Sequence, residues 1–486
     1  MVAPAAGTAT HLAPASGDTM TSSITDTFDR TALLGVHEGT RATVTAALDA
    51  QAKTGMVIVA TGMPFDLCGQ AALCTAVATA VRAFGKVIVV ADGPVELTYG
   101  PYRGLTIAEM TEREGAEHTD QLDPSVVPAE LPFLHLGDPP AEPGGAVRIR
   151  ASWDGWNASV SPAEAGTGPS REGNVVAAIA AAALGVHEAF GTIRERPGSD
   201  VGWRTITLNL WQPGTDIDGP TPTHAPAAWW LVGLGHLGQA YAWVLSWLPY
   251  ADPAKIEIVL QDIQRVVQAN HSTGLLTPAS PAPIRKTRLA ATALEQAGYD
   301  VVILDRRLDE TSRAQPEDYH VALLGVDTLQ PRRLISQVGW KLAIDAGLGI
   351  GPADFNAMIL YRFPAKVPSD QLLPWNNDAP RQRRATTAAL AELEQRDPCG
   401  SVELAGTAVG AAFVGAITAC LAIAQGVRGV QTEDGFDVIN LHLQSGDAFQ
   451  APATGETSLP AARLLPLQLS NLDGGLFLQR CFRRSC

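Results

Sequence analysis

Between Trp229 and Leu248 the chain reads WWLVGLGHLGQAYAWVLSWL, an apolar run that enters Gly233-Leu-Gly235-His-Leu-Gly238 and leaves into an apolar helix. Glycines at this spacing let a backbone turn sharply and approach phosphate oxygens, and the N-terminus of the following helix supplies partial positive charge. Asp262 ends the next apolar run, KIEIVLQD, where a carboxylate accepts hydrogen bonds from ribose hydroxyls. Gly233, Gly235, Gly238 and Asp262 together describe a site for an adenosine-type nucleotide. They leave open whether it is a dinucleotide, which implies hydride transfer, or a nucleoside triphosphate. His236 fills a variable position of the turn and reads as a bystander, and His271 as a loop or capping residue.

The elements that must position these residues follow from hydrophobic period. MVIVATG, then AALCTAVATAVRAF, then KVIVVADG form a strand, a helix and a strand of the parallel-sheet type, with strands covered on both faces. A loop-rich stretch peaks in HLGDPPAEPGG before VRIRASW returns to strand. GNVVAAIAAAALGVHEAF then reads as a helix of small residues that packs closely. WQPGTDIDGPTPTHAPAA, residues 211–228, is dense in Pro, Gly and Thr and is the expected boundary between domains. Beyond it AWWLVGLG, KIEIVLQD, DVVILD, HVALLGVD and KLAIDAGLG read as strands separated by helices. That is a Rossmann-like, doubly wound, mostly parallel α/β pattern. A second small-residue helix, GTAVGAAFVGAITACLAIA, occupies 406–424. It can be set beside GNVVAAIAAAALG, which suggests two related α/β halves, the first without its glycine turn. The expected organisation is a leader over 1–29, an α/β domain over 30–210, a linker over 211–228, a nucleotide-binding domain over 229–445 and a tail over 446–486.

Composition narrows the function classes. A chain of 486 residues with 46% apolar and 17% charged residues suits a two-domain α/β protein. A net charge of −15 without a long basic run argues against a nucleic-acid partner. The N-terminal MVAPAAGTATHLAPASGDTMTSS lacks the basic start and apolar core of a signal peptide, and no uninterrupted apolar run reaches membrane-spanning length, so no membrane partner is expected. The six cysteines include no CxxC, so a zinc site is not indicated, and reduced thiols in a cytoplasmic protein are the simplest expectation.

The segments beyond Asp262 narrow the choice of nucleotide. DIQRVVQANHSTGLL leads into PIRKTRLAATALEQAGYDVVILDRRL, and LLGVDTLQPRRLI and KLAIDAGLG come next. Over residues 229–430 this resembles the ThiF/MoeB/HesA adenylyltransferases, the superfamily that includes ubiquitin-activating enzymes. Asp262 matches the first Asp of their Asp-x-Asp, Val266 the Val, Asn270 the Asn of the loop and Lys286 the helix-opening Lys. Asp327 matches the Mg-binding Asp, and Arg332 or Arg333 the Arg of the next helix. Two positions depart: Thr273 stands where the family has a phosphate-contacting Arg, and Gln264 replaces the second Asp. Arg285 and Arg288 flank Lys286 as alternative cations.

The resemblance implies ATP and Mg2+ as cofactors, with Gly233, Gly235, Gly238, Asp262, Asn270, Lys286 and Asp327 around the nucleotide and Asp327 on the metal. It implies adenylation of the C-terminal carboxylate of a small ubiquitin-like or sulfur-carrier protein or peptide, Lys286 and the metal stabilising charge at phosphorus. Cys399, in DPCGSVELAGTAVGAAF, sits in a loop like the one that carries the catalytic Cys of autophagy-type activating enzymes, and would take the acyl group as a thioester. Cys420, inside the helix, reads as core. The resemblance also implies a homodimer or an intramolecular pseudo-dimer. The rival readings are an NAD(P)-dependent oxidoreductase, a peptide-modifying relative and a catalytically degenerate nucleotide-binding scaffold.

Overall fold

A computed structural model describes residues 28–92, 94–123, 125–139, 147–165, 173–194, 199–349, 351–376, 387, 409–432, 435–445, 448–452 and 464–468. Helices α1 (Leu33–His37) and α2 (Val44–Ala52) lead into β1 (Gly55–Val59), α3 (Leu67–Ala80), β2 (Lys86–Val90), α4 (Ile107–Glu114) and β3 (Glu117–Thr119). The first half continues with β4 (Phe133–His135), β5 (Arg148–Asp154), β6 (Asn157–Pro162), α5 (Val175–Thr192) and β7 (Ile206–Asn209). After β8 (His224–Pro226) the second half runs β9 (Ala228–Val232), α6 (His236–Leu245), β10 (Glu257–Gln261), α7 (Lys286–Gln296), β11 (Asp300–Leu304) and β12 (Val321–Leu324). It ends with α8 (Leu329–Arg333), α9 (Ile335–Val338), β13 (Leu342–Leu348), β14 (Ala357–Phe363), α10 (Leu373–Asn376), α11 (Ala412–Gln431), β15 (Phe436–His442), β16 (Ala448–Pro452) and β17 (Leu464–Pro466).

The first sheet has the order β3-β2-β1-β4-β5-β6-β7 and the second β11-β10-β9-β12-β13-β14-β15-β16. In each, five parallel strands come first and the remaining strands are antiparallel. The two sheets therefore share one topology, the second longer by one edge strand. The expected Rossmann-like α/β class is what the chain adopts.

Both faces of each sheet are covered, which is why the inner strands read as unbroken apolar runs. Met56 and Ile58 of β1 face a core shared by both halves, while Val57 and Val59 face a separate cluster with Ile88, Val90, Val127 and Phe133. In β9, Trp229 and Leu231 face the shared core, and Trp230 and Val232 join Trp340, Tyr361 and Trp375 on the far side. Each fully buried apolar side chain of this kind stabilises by roughly 1.5–3 kcal/mol.

The seam between the halves is a layer of helices in which α3 packs on α5, α5 on α11, and α11 on α6. Small residues also let α5 seat closely on the first sheet: a Cβ on Gly185 would lie 2.3 Å from Leu134 of β4. Polar bonds register the halves: the Trp243 indole donates to Thr75 Oγ1 (3.0 Å) and Gln425 Nε2 to the Leu210 carbonyl (2.7 Å). α5 and α11 each reach a mean hydropathy of 1.6, enough to cross a membrane by composition, but those stretches are 89% and 94% buried inside the protein and serve as core helices. Trp211, at the start of the Pro/Gly-rich segment, is buried against Trp156, with Arg428 donating to its carbonyl at 2.8 Å.

Candidate nucleotide site

The glycine turn stands at the carboxyl ends of the second sheet's parallel strands. Gly233 leaves β9 with φ of +80°, a left-handed conformation that excludes most side chains, and its N–H donates to the Gln261 carbonyl at 2.9 Å. Gly238 lies under the turn, where a Cβ would come 2.0 Å from the Gly233 carbonyl. Over Gly235 the space is open, with nothing within 4 Å of an added Cβ. No side chain caps α6. An open turn before an uncapped helix of this length suits an anion held by backbone N–H groups.

Asp262, half-buried beyond β10, accepts from Leu234 N and Gln264 N, both at 2.6 Å. Its carboxylate thus fixes the glycine turn and has lone pairs remaining for a hydroxyl. Lys286 opens α7 and is 6% exposed, with Nζ donating to Gln264 Oε1 at 2.7 Å. The residue at the second Asp position therefore holds the lysine through a neutral amide. Asp327 is exposed just beyond β12. The loop bearing it is tied down by Arg332, which donates to the Val326 carbonyl (2.8 Å), the Ala346 carbonyl (3.0 Å) and Asp345 Oδ2 (2.7 Å). Asp345 is wholly buried, and burial pushes its carboxyl up to about 7 against the pull of Arg332. Arg333 donates to the Trp375 carbonyl at 2.7 Å, so Arg332 is the one that serves this loop.

Asn270 is buried, and its side-chain oxygen accepts from Val267 N at 3.0 Å while its carbonyl accepts from Gly274 N at 2.7 Å. It shapes its own loop. His271 Nδ1 meets the Thr277 carbonyl at 3.0 Å, the loop role expected for it. Thr273 is buried, and neither neighbouring arginine takes the place of the missing one. Arg285 bonds the Ile263 carbonyl and Arg288 pairs with Glu295 along the outside of α7.

A cation does arrive from elsewhere. The segment Asp29–Thr31 crosses from the first half: Arg30 N donates to Ser272 Oγ (3.0 Å), and Thr31 Oγ1 to the Gly410 carbonyl (2.9 Å). Arg30 lies close enough to His236 to act on it. Burial, and then the Arg30 charge, hold the His236 imidazole down at about 4, so it is neutral at the mouth of the turn. Its ring packs against Gly415 of α11, where a Cβ would sit 2.4 Å from Nε2. Sequence reading missed Arg30 because about 200 residues separate it from the turn it approaches and no spacing rule spans two halves.

Cys399 lies outside the described residues. Among the described cysteines, Cys74 and Cys420 are buried with their thiols pushed well up by burial, and Cys68 is pushed up to about 12 by burial and by Asp66. Among the described residues no group of three or more His, Cys, Asp or Glu side chains is placed to hold a metal. A shallow pocket opens on the seam, lined by His187, Phe190, Arg194, Phe355, Asn356 and their neighbours, and contains none of the residues of the glycine turn or its surroundings.

Residues 56–210 match the BilD N-terminal domain and residues 225–433 the BilD C-terminal domain. The chain is 34% identical over 301 residues to the bacterial E1-like protein BilD of Collimonas sp. (strain OK412), an alignment covering 60% of this chain and 64% of that protein. Just under two thirds of that relative's length is therefore matched. Among solved structures, E. coli MccB with MccA overlaps at 13% identity and a TM-score of 0.32, covering 49% of this chain and 66% of that one. MccB with AMPCPP and MccA overlaps at 11% identity and a TM-score of 0.30, over 49% and 66%.

Proposed function

We propose that this chain, a homologue of the bacterial E1-like BilD family, uses ATP to adenylate the C-terminal carboxylate of a small ubiquitin-like or sulfur-carrier protein or peptide. The observation that supports the reading is the open, uncapped turn at Gly235, with Asp262, Lys286 and Asp327 following the same sheet's strands at their carboxyl ends. In the reaction a carboxylate oxygen attacks the α-phosphorus, the bond to the bridging oxygen breaks, and pyrophosphate leaves with the electron pair. The N–H groups opening α6 would hold phosphate oxygens, and Lys286 and Arg30 would offset charge that grows as the bond breaks. Asp262 would take the ribose hydroxyls. Asp327, a lone exposed carboxylate, suits Mg2+, which keeps water and phosphate oxygens as most of its ligands and supplies electrostatic stabilisation when bound. Cys399 is the proposed acceptor of the acyl group: its thiolate would attack the acyl carbonyl of the adenylate, forming a thioester as the acyl–phosphate bond breaks and AMP leaves.

Thr273 and Gln264, at positions where the adenylyltransferases carry charge, favour a second reading, a nucleotide-binding scaffold without catalysis. Exchange of labelled pyrophosphate into ATP, with a glycine-ended carrier present, separates the two. Exchange supports adenylation, and Mg-ATP binding without exchange supports the scaffold. Thermal stabilisation by NAD or NADP and not by Mg-ATP would return the protein to the oxidoreductases. For Cys399, the carrier and ATP should yield a thiol-sensitive adduct on denaturing gels that Cys399→Ser abolishes or converts to a thiol-resistant ester.

A further inference from the structure

We infer that Arg82, a residue of the first half, is a positioning residue for the nucleotide site of the second half, acting through the loop 270–277. The inference rests on the proposed nucleotide site. Arg82 follows α3 at the seam and is 2% exposed. All five of its N–H groups are used. Nε donates to the Gly274 carbonyl at 3.1 Å, and one terminal nitrogen to the carbonyls of Leu275 (3.1 Å) and Thr277 (3.0 Å). The other donates to the Ala78 carbonyl (2.6 Å) and Glu114 Oε2 (3.1 Å). Glu114 is in turn fixed by the Tyr102 hydroxyl at 2.5 Å. Three carbonyls of one loop thus converge on a guanidinium that the other half holds rigid.

The loop is gripped from its second side by Gln239 of α6. Gln239 Oε1 accepts from Leu276 N (3.1 Å) and Thr277 Oγ1 (2.9 Å), and Gly274 makes room, since a Cβ there would meet that amide at 2.5 Å. The hold passes to the nucleotide side through two bonds, Gly274 N donating to the Asn270 carbonyl and the Thr277 carbonyl accepting from His271 Nδ1. Within the same loop Ser272 Oγ accepts from Arg30 N at 3.0 Å, and Thr273 lies beside His236 of the glycine turn, both 3.5 Å from a Cβ added at Gly410. A lysine cannot substitute, because an ammonium has three donors on a flexible stem and cannot span three carbonyls as a planar fork does.

The test uses the full chain and three variants, Arg82→Lys, Glu114→Gln and, as a control, Thr75→Val, which cuts another bond across the seam (Trp243 to Thr75) away from the loop. Mg-ATP binding by calorimetry, the split of KM and kcat in pyrophosphate exchange, and amide hydrogen exchange over 268–277 are measured for each. Misplacement of a binding loop by about 1 Å costs up to about 100-fold. Arg82→Lys and Glu114→Gln should therefore weaken ATP binding about tenfold or more, appear chiefly in KM, and speed exchange over 268–277. Thr75→Val should lower the melting temperature and leave ATP affinity within about twofold. Unchanged ATP affinity in both loop variants, or an equal loss in Thr75→Val, would overturn the role of Arg82 while leaving the nucleotide reading standing. If the wild-type chain binds no ATP, the two fall together.

Discussion

The two halves share a strand order but differ at nearly every position that would meet a nucleotide. Strand pairing aligns them: Val59 pairs with Val90 and His135 as Val232 pairs with Gln261 and Leu324. Next along the second strand, Ala91 of the first half stands where the second has Asp262, so the ribose acid is missing. The helix after that strand, α4, begins with a Thr106–Glu109 capping box, where α7 begins with Lys286. Most telling, Asp66 caps α3 by accepting from Gly69 N at 2.9 Å, whereas nothing caps α6. A carboxylate thus occupies the place where the second half leaves room for a phosphate. Of the acidic positions one survives, since Asp138 takes the position of Asp327. A shared topology fixes where a site would be, and a few side chains decide whether it is open.

The largest expected effects set these halves against each other. Lys286→Ala and Asp327→Ala should each lower pyrophosphate exchange by about 10²-fold or more, the scale for removing one charge-stabilising group. Asp138→Ala, the matching change in the first half, should leave exchange within about twofold. A comparable loss in Asp138→Ala would mean that both halves share in the chemistry.

A second contrast concerns buried histidines. His135 is 1% exposed and held down at about 4 by burial, Arg148 and Arg150, and His236 is held at a similar value. Below its unfolded value of about 6.5, each imidazole is protonated in the unfolded chain before it is in the folded one. Their stabilisation is therefore full above about pH 6.5 and is lost as the pH falls toward 4. His135→Leu, which copies Leu324 of the second half, should flatten that acid limb in denaturant titrations and leave nucleotide affinity alone. An unaltered acid limb would show that His135 does not contribute to it.

The smallest effect belongs to the cap. Asp66→Ala should cost about 1 kcal/mol of stability, as loss of an N-cap does, and should not create a second nucleotide site, because Ala91 and the α4 capping box remain unsuited. Appearance of a second ATP in Asp66→Ala would show that the cap alone keeps the first half silent.

Much of the fold was legible because apolar period reports strands covered on both faces. β1, β2, β9, β10, β12 and β13 all fall on the runs read as strands. Gly233, Gly235, Gly238 and Asp262 were legible for the same reason, since their meaning is local: a strand, a turn, a helix and the next strand end. The turn of the first half was harder to see. It retains Gly62 and a closing glycine, Gly69, whose Cβ would meet the Pro64 carbonyl at 1.7 Å, but Met63 to Cys68 lie between them and break the spacing. The buried Gln70 next to it holds Thr98 N (2.9 Å) and Tyr99 N (3.2 Å), much as Gln239 holds the loop at 276–277. Arg30 and Arg82 were not legible at all, because each bonds a loop in the other half and only tertiary packing brings them together.

Calorimetric titration of the full chain with Mg-ATP tests the central claim most directly, with the wild type beside Gly235→Asp and Gly62→Asp. Both variants place a carboxylate at the middle of a turn, one in each half. The expected result is one ATP per chain, lost in Gly235→Asp because the charge enters the open space over the uncapped helix, and retained in Gly62→Asp. Two ATP per chain, or binding that survives Gly235→Asp in a folded protein, would contradict it.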